Sequence, residues 1–326
     1  MKTTMKISVL VPSYRRPQDL ARCLAGLARQ RRPADQIVVV ARDGDGETID
    51  TVRRFAPLFA PNTPPDLVLV DQPGVIHAMA AGLDHVRGEV VAITDDDAVP
   101  HADWLERIER TFAESVKVGG VGGRDLIPGE LGEPGGLHEK VGLVQWWGRV
   151  VGNHHLGCGG PRRVQVLKGV NCAYRTGLLR KAGFDRRLKG AGAQVHFELG
   201  IGLDLIGRGW QLVYDPAILV DHFPAPRQDY DRRNSFNARA VSDAVHNETF
   251  LLLNHLPPVR RAALLAWSLA CGTRNAPGLL CLALEARSDR RLALDRWRAT
   301  LRGRMEGLAS WRRERTPRGM PLAASP

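Results

Sequence analysis

Over the first hundred residues, short runs of β-branched and apolar side chains alternate with longer stretches in which apolar residues recur at helical spacing. Residues 7–11 (ISVLV) predict a first strand. Residues 17–29 carry Leu20, Leu24 and Leu27 at i, i+4 and i+7, which predicts a helix whose apolar face covers a sheet. A strand at 37–40, a helix near 48–59, a strand at 67–70, a helix at 75–86 and a buried-type strand at 89–94 continue the rhythm. Strand and helix in alternation build βαβ units, and hence a mainly parallel sheet flanked by helices. The Pro-rich stretch 60–65 reads as a surface connection.

Beyond residue 123 the pattern changes. Residues 123–165 are rich in Gly and hold Trp146, Trp147, His154 and His155 without clear periodicity, which predicts a long segment lying over a site. Regular patterns resume at 166–174, 177–182, 198–207 and 211–220, and from about Arg232 the chain reads mostly helical. The expected fold is therefore α/β, Rossmann-like, over residues 1–230, followed by a basic helical extension over 231–326. No internal repeat is visible.

Composition narrows the setting. The 326 residues are 44% apolar, enough for a sizeable core, and carry a net charge of +11 with a pI near 9.9. Residues 287–318 alone hold eleven Arg against four acids, so the basic surplus lies mostly near the C-terminus and favours anionic partners. Five widely spaced cysteines without a CxxC pair argue against a disulfide framework or zinc ribbon and point to a reducing cytoplasm. The N-terminal apolar run is too short for a signal peptide, and the uncharged stretch 262–273 falls short of the ~18–20 residues that span a bilayer.

The candidate chemistry centres on Asp95-Asp96-Asp97, placed where the strand EVVAIT ends. Adjacent carboxylates repel and raise one another's pKa, and a divalent cation removes that penalty. Hard oxygen ligands suit Mg²⁺ or Mn²⁺. In open parallel sheets ligands bind beyond the carboxyl ends of the strands, so Ser13 and Tyr14, Asp43 and the Asp cluster are expected to face one crevice.

Five segments in order, ISVLVPSYRRPQDLARCL, QIVVVARDGDGET, GEVVAITDDDAVPHADWL, KGVNCAYRTGLLRKAGFD and FELGIGLDLIGRGWQLVYDPAILVDHF, resemble the family 2 glycosyltransferases of GT-A type fold. The resemblance implies an inverting, nucleotide-sugar-dependent transferase. By it, Pro12, Ser13, Tyr14 and Asp43 line the nucleobase pocket. Asp95 is the first acid of a D-x-D motif, near the ribose or sugar, Asp96 its variable middle position, and Asp97 a metal ligand joined by His222. Glu198 takes the place of the catalytic base, although its charge also suits the N-terminus of the following helix. Asp204 and Asp185 are weaker substitutes. Lys168 and Asn171 flank the sugar, and Arg175 could point to phosphate. Trp146 and Trp147 either stack on an acceptor sugar or form a packing cap.

Two positions depart from the family pattern. An Arg-Asn pair of the third helix reads Met79-Ala80 here, and a pair of adjacent acids reads Phe197-Glu198. The C-terminal segment, with Leu292, Trp297, Leu301, Leu308 and Trp311 among its arginines, could lie on an anionic membrane or dock on the catalytic domain. The expected partners are a nucleoside diphosphate sugar and a glycan or lipid-linked acceptor, as in cell-surface polysaccharide or glycoconjugate synthesis, with no nucleic acid. The expected location is cytoplasmic, peripheral on the inner face of the cell membrane. A sugar nucleotidyltransferase is a second reading, opposed by Val11-Pro12-Ser13-Tyr14, which stands where such enzymes carry a Gly-rich phosphate loop. A non-catalytic nucleotide- or membrane-binding relative is a third.

Overall fold

In the computed structural model, which describes residues 5–59, 63–129, 136–232 and 235–315, the first hundred residues fold as β1 (Ile7–Ser13), α1 (Pro17–Ala28), β2 (Gln36–Arg42), α2 (Gly46–Phe55), β3 (Asp66–Val70), α3 (Val75–His85) and β4 (Val90–Ile93). Successive β2 side chains point to opposite faces, so Ile37 and Val39 join one apolar layer while Val38 and Val40 join another. The first layer packs under Leu20 and Leu24 of α1, the second under Ile76, Met79 and Leu83 of α3. With both faces covered, strands β1 to β4 pair in parallel in the order β3-β2-β1-β4. Part of the Pro-rich connection at 60–65, residues 60–62, lies outside the described residues, as does the tail 316–326.

Residues 98–126, for which hydrophobic periodicity made no assignment, supply β5 (Ala98–Pro100), α4 (Trp104–Glu114) and β6 (Val118–Leu126). The glycines of β6 hide its strand character. They are needed there, since a Cβ at Gly123 would sit 2.0 Å from the Ile218 carbonyl oxygen. Residues 123–126, expected to open an irregular segment, instead complete β6, and the described residues that follow it, 127–129 and 136–165, hold only a small hairpin, β7 (Leu143–Val144) with β8 (Val150–Val151), a 3₁₀ turn at His154–Leu156 and β9 (Arg162–Val164). After β10 (Cys172–Arg175), α5 (Thr176–Ala182) and α6 (Phe197–Gly207) comes the long β11 (Gln211–His222). The sheet continues β4-β10-β6-β11-β5 with β9 also on β11, and β10 runs antiparallel to both neighbours. The sheet is thus parallel at its N-terminal half and mixed beyond, flanked by helices.

Helices α7 (Ala238–His255), α8 (Pro258–Ala270), α9 (Leu279–Glu285) and α10 (Arg290–Arg315) follow. Phe250, Leu252 and Leu253 of α7 are buried in the same apolar layer as α3 and α6. Helix α10 lies against α7, where Gly303 and Gly307 permit close approach: a Cβ on either would come within 2.4 Å and 2.9 Å of the backbone oxygens of Ser242 and His246. Leu308 and Trp311 pack on the core, Arg304 pairs with Glu248 at 3.1 Å, and Lys189 pairs with Glu306 at 2.7 Å. Of the two alternatives for this helix, docking on the rest of the protein is the one observed. No helix among the described residues is long and apolar enough to cross a membrane. All five cysteines are free.

Candidate active site

The carboxyl ends of β1 to β4 open into a crevice of about 530 Å³. Pro12, Ser13 and Tyr14 line it at the end of β1, Arg42 at the end of β2, and Asp95, Asp96 and Asp97 after β4, where the strand ends and the chain turns into β5. The opposite wall comes from residues 191–198, leading into α6 and ending at Glu198, and from residues 227–230. Two residues of this wall, Gln194 and His196, have positive φ (34° and 77°), and Gln194 is fastened by accepting a hydrogen bond from the Ile76 N–H at 3.1 Å.

The three acids divide. Asp96 is buried, accepting from Ser13 Oγ at 2.8 Å and Arg16 Nη1 at 3.0 Å, so its oxygens are committed to the wall of the crevice. Burial pushes its carboxyl up to about 7 against the opposing charge of Arg16. Asp95 is only partly covered, and burial together with the Asp97 charge raises it to about 6. Burial alone would raise Asp97 as well. The nearby His222 ring, the hydrogen bond from the Ala225 N–H (2.9 Å) and the charge of Arg16 outweigh it and hold Asp97 below the usual carboxylate range.

One ligand atom each from Asp95, Asp97 and His222 lies within 4.8 Å of the others. His222 Nε2 is buried, 3.5 Å from Asp97 Oδ1, and has no hydrogen-bond partner among the described residues. An orphaned ring nitrogen facing two carboxylates fits a divalent cation, and the mixed O, O, N donor set suits Mn²⁺ better than Mg²⁺. Behind the ring stands Asp125, fully buried at the end of β6, with Oδ2 3.2 Å from His222 Nδ1 and ion-paired to Lys168. A carboxylate only accepts, so Nδ1 carries a proton and Nε2 is turned toward Asp97. Burial disfavours the charged ring, yet the hydrogen bond to Asp125 and the adjacent Asp97 carboxylate raise His222 to about 9.

Glu198 lies in the first turn of α6, and its Oε1 accepts from the Gly169 N–H at 3.0 Å. Burial raises its pKa, against the hydrogen bonds from its own backbone and from Gly169. A carboxyl made more basic than usual, in the crevice wall, is equipped to take a proton.

Other expected contacts fall elsewhere. Asp43 is exposed and does not line the crevice: the turn through Gly44 (φ 81°) sends Asp45 inward instead, where it accepts from the Arg15 N–H at 2.6 Å and caps α2. Asn171 is not among the residues that line the crevice. It is buried with its amide consumed, Nδ2 donating to the Arg124 and Ile218 carbonyls at 3.1 and 2.9 Å and Oδ1 accepting from Trp104 Nε1 at 2.8 Å. Lys168 also stays off the crevice lining, held by Asp125. Trp146 and Trp147 sit at the tip of the β7–β8 hairpin, 59% and 37% exposed and outside the crevice lining. Arg175 donates to the Val118 carbonyl at 2.8 Å and stacks on Phe112, a packing role. Asp185 and Asp204 pair with Arg187 and Arg208. His154 is buried, bonded to the Val166 carbonyl at 3.0 Å.

Four residues of the site escaped the sequence reading. Asp125 announced itself only as an acid inside a Gly-Val strand, where a buried charge requires a partner. Arg16, Arg42 and Arg227 line the crevice as cations, whereas Met79, standing where the family pattern has Arg, is buried in the core.

The family model for glycosyl transferase family 2 matches residues 8–182. Glycosyltransferase AglE of Haloferax volcanii is 26% identical over 127 residues, 38% of this chain and 39% of that protein, so the match spans under half of that relative's length. Among solved structures, mannosyltransferase PcManGT of Pyrobaculum calidifontis, in complex with GDP-Man and Mn²⁺, aligns over 96% of this chain and 89% of its own, with TM-score 0.54 and 20% identity. S. aureus TarS 1–349, in complex with UDP-GlcNAc, aligns over 95% and 92%, with TM-score 0.56 and 15% identity. At these identities the likeness of the structures is one of fold.

Proposed function

The chain belongs to glycosyl transferase family 2, and from that premise we propose that it is an inverting glycosyltransferase moving a sugar from a nucleoside diphosphate sugar to a hydroxyl of a glycan or lipid-linked acceptor. The observation that carries this reading is the convergence of Asp95, Asp97 and His222 on one point of a crevice whose wall holds Glu198. The neighbouring folds bound to GDP-Man with Mn²⁺ and to UDP-GlcNAc support the donor class.

In this reading Pro12, Ser13 and Tyr14 receive the nucleobase, and Arg16 and Arg227 face the phosphates, taking over from the cation that Met79 does not supply. Asp97, His222 and Asp95 hold Mn²⁺ or Mg²⁺, which when bound neutralises charge on the departing diphosphate. Glu198 accepts the proton of the acceptor hydroxyl as its oxygen attacks the anomeric carbon. The new C–O bond forms on the face opposite the diphosphate, and the electrons of the breaking bond leave with the nucleotide. Residues 1–230 form the catalytic domain and 231–326 its extension. The setting is cytoplasmic, at the inner face of the cell membrane, in cell-surface polysaccharide or glycoconjugate synthesis.

A panel of nucleotide sugars screened for Mn²⁺-dependent donor hydrolysis tests the reading. We expect one donor to be turned over, and Glu198→Gln to keep nucleotide binding while turnover falls by on the order of 10² or more. Undiminished turnover in Glu198→Gln would remove the base from this residue.

A further inference from the structure

We propose that the outer face of α8 and α9, rather than the Arg-rich α10, is a docking surface for an anionic membrane leaflet. The proposal rests on the peripheral placement above and names the surface responsible.

Helix α9 reads LLCLALE, yet none of its residues is buried. Leu279, Leu280 and Leu284 are 51%, 54% and 53% exposed. Seven residues are too few to hold a helix in water without packing, so an apolar helix with no buried residue is short of a partner. Helix α8 is two-sided. Leu264 and Ser268 are buried, whereas Val259 (69%) and Leu269 (54%) stand out on the other side. A tight turn joins the two helices, the Gly278 N–H donating to the Cys271 carbonyl at 3.1 Å. The β7–β8 hairpin is tied to α8 by Arg260, which donates to the Trp146 carbonyl at 3.0 Å, and it carries the exposed Trp146 indole, a side chain suited to the headgroup region.

Charge decides the occupant. Arg274, Arg287, Arg290 and Arg291 are exposed around α9, and none is in an ion pair among the described residues. Arg290 and Arg291 open α10 with no acid in its first turn, beside the single carboxylate of Asp289, whose Oδ1 accepts from the Leu292 N–H at 2.9 Å, so the cations outnumber the acid at this end of the helix. A face that is apolar at its centre and cationic at its rim matches an anionic bilayer surface, with leucines reaching the acyl boundary and arginines the headgroups. A second copy of this chain would bring the same arginines against one another. Leu308 and Trp311 of α10, by contrast, pack on the core and Gly303 and Gly307 lie close against α7, which leaves only Leu292 (37%) and Met305 (62%) as its exposed large apolar side chains.

The test is co-sedimentation of the full chain with vesicles of phosphatidylcholine alone and with phosphatidylglycerol added, without donor. We expect binding only to the anionic vesicles, lowered at least tenfold by Leu279→Ser with Leu280→Ser and Leu284→Ser. Charge removal at Arg274, Arg287, Arg290 and Arg291 together, to Gln, should lower it by on the order of 10² or more, since each basic residue near an anionic surface is worth about fivefold. Replacing the exposed Arg298 and Arg302 of α10 should change it far less. Binding lost instead with the α10 pair overturns the proposal and leaves a peripheral enzyme standing, whereas no binding by the unmodified chain removes both. Dimerisation that the leucine variants abolish, without vesicle binding, would assign the face to a second copy and overturn the membrane. Because the substituted side chains are exposed, nucleotide-dependent thermal protection should be retained, and it serves as the check on folding.

Discussion

Replacing Asp125 by Asn isolates what the carboxylate behind His222 contributes. Asp125 is fully buried, its Oδ2 is shared between His222 Nδ1 at 3.2 Å and Lys168, and its Oδ1 has no hydrogen-bond partner among the described residues. The charge and the hydrogen bond fix the ring so that Nε2 faces Asp97 at 3.5 Å. Loss of such an outer carboxylate lowers metal affinity about 10- to 100-fold, or about 1.4–2.7 kcal/mol. Breaking a fully buried ion pair costs about 3–5 kcal/mol. Here Lys168 keeps a third of its side chain in solvent (32%) and Asn can still hydrogen-bond, so the loss of stability should be smaller, about 1–3 kcal/mol. Mn²⁺ titration by calorimetry or by the free-ion paramagnetic signal reads the first quantity, and urea unfolding without metal reads the second. Lys168→Met, which leaves the His222–Asp125 contact in place, should change Mn²⁺ affinity by less than about threefold on the same reasoning. A folded Asp125→Asn protein binding Mn²⁺ as tightly as the parent would refute the argument.

Two further outcomes follow from buried polar groups. Asn171→Ala strands the Trp104 indole N–H and the Arg124 and Ile218 carbonyls, and should lower stability by about 2–4 kcal/mol in urea unfolding; a loss below about 0.5 kcal/mol would mean the pocket rehydrates freely. Burial depresses His154 to about 4, so the folded state holds it neutral while the unfolded chain protonates near the ordinary 6.5. Its contribution is therefore complete above about pH 6.5 and is lost as pH falls toward 4, by up to about 1.4 kcal/mol per unit and about 3 kcal/mol in all. His154→Gln should lose less stability than the parent between pH 7 and 4.5, and parallel pH profiles for the two proteins would contradict this.

How far the sequence reached depends on what kind of signal each element left. Strands β1 to β4 carry β-branched runs and α1 and α3 carry clean apolar faces, so they were legible to within two residues. Strand β6 was not, because Gly120, Gly122 and Gly123 are required by the closeness of Tyr174, Leu167 and Ile218 and leave no alternation to read. The acids after β4 were placed at a strand end by their position after EVVAIT, but which of them turns inward depends on Ser13 and Arg16 from another strand end. Asp43 and Asp45 are equivalent in the sequence and are distinguished only by the turn at Gly44. Asn171 shows the same ambiguity in another form, since an amide that touches a ligand and one that pins β6 to β11 leave the same letter. Near the C-terminus the apolar periodicity was visible throughout. Only the packed structure separates Leu308 and Trp311, which face the core, from Leu279, Leu280 and Leu284, which face outward.

The central claim is a joint metal and nucleoside diphosphate site at Asp95, Asp97 and His222. Thermal unfolding of the parent and of Asp97→Ala, with UDP, GDP or dTDP in the presence and absence of Mn²⁺, tests it most directly. Saturation at about a hundredfold over Kd is worth about 2.7 kcal/mol, enough to raise the melting temperature by several degrees. The account predicts that rise for at least one nucleotide, only with Mn²⁺, and its loss in Asp97→Ala. No rise with any of the three nucleotides, or an undiminished rise in Asp97→Ala, would contradict it.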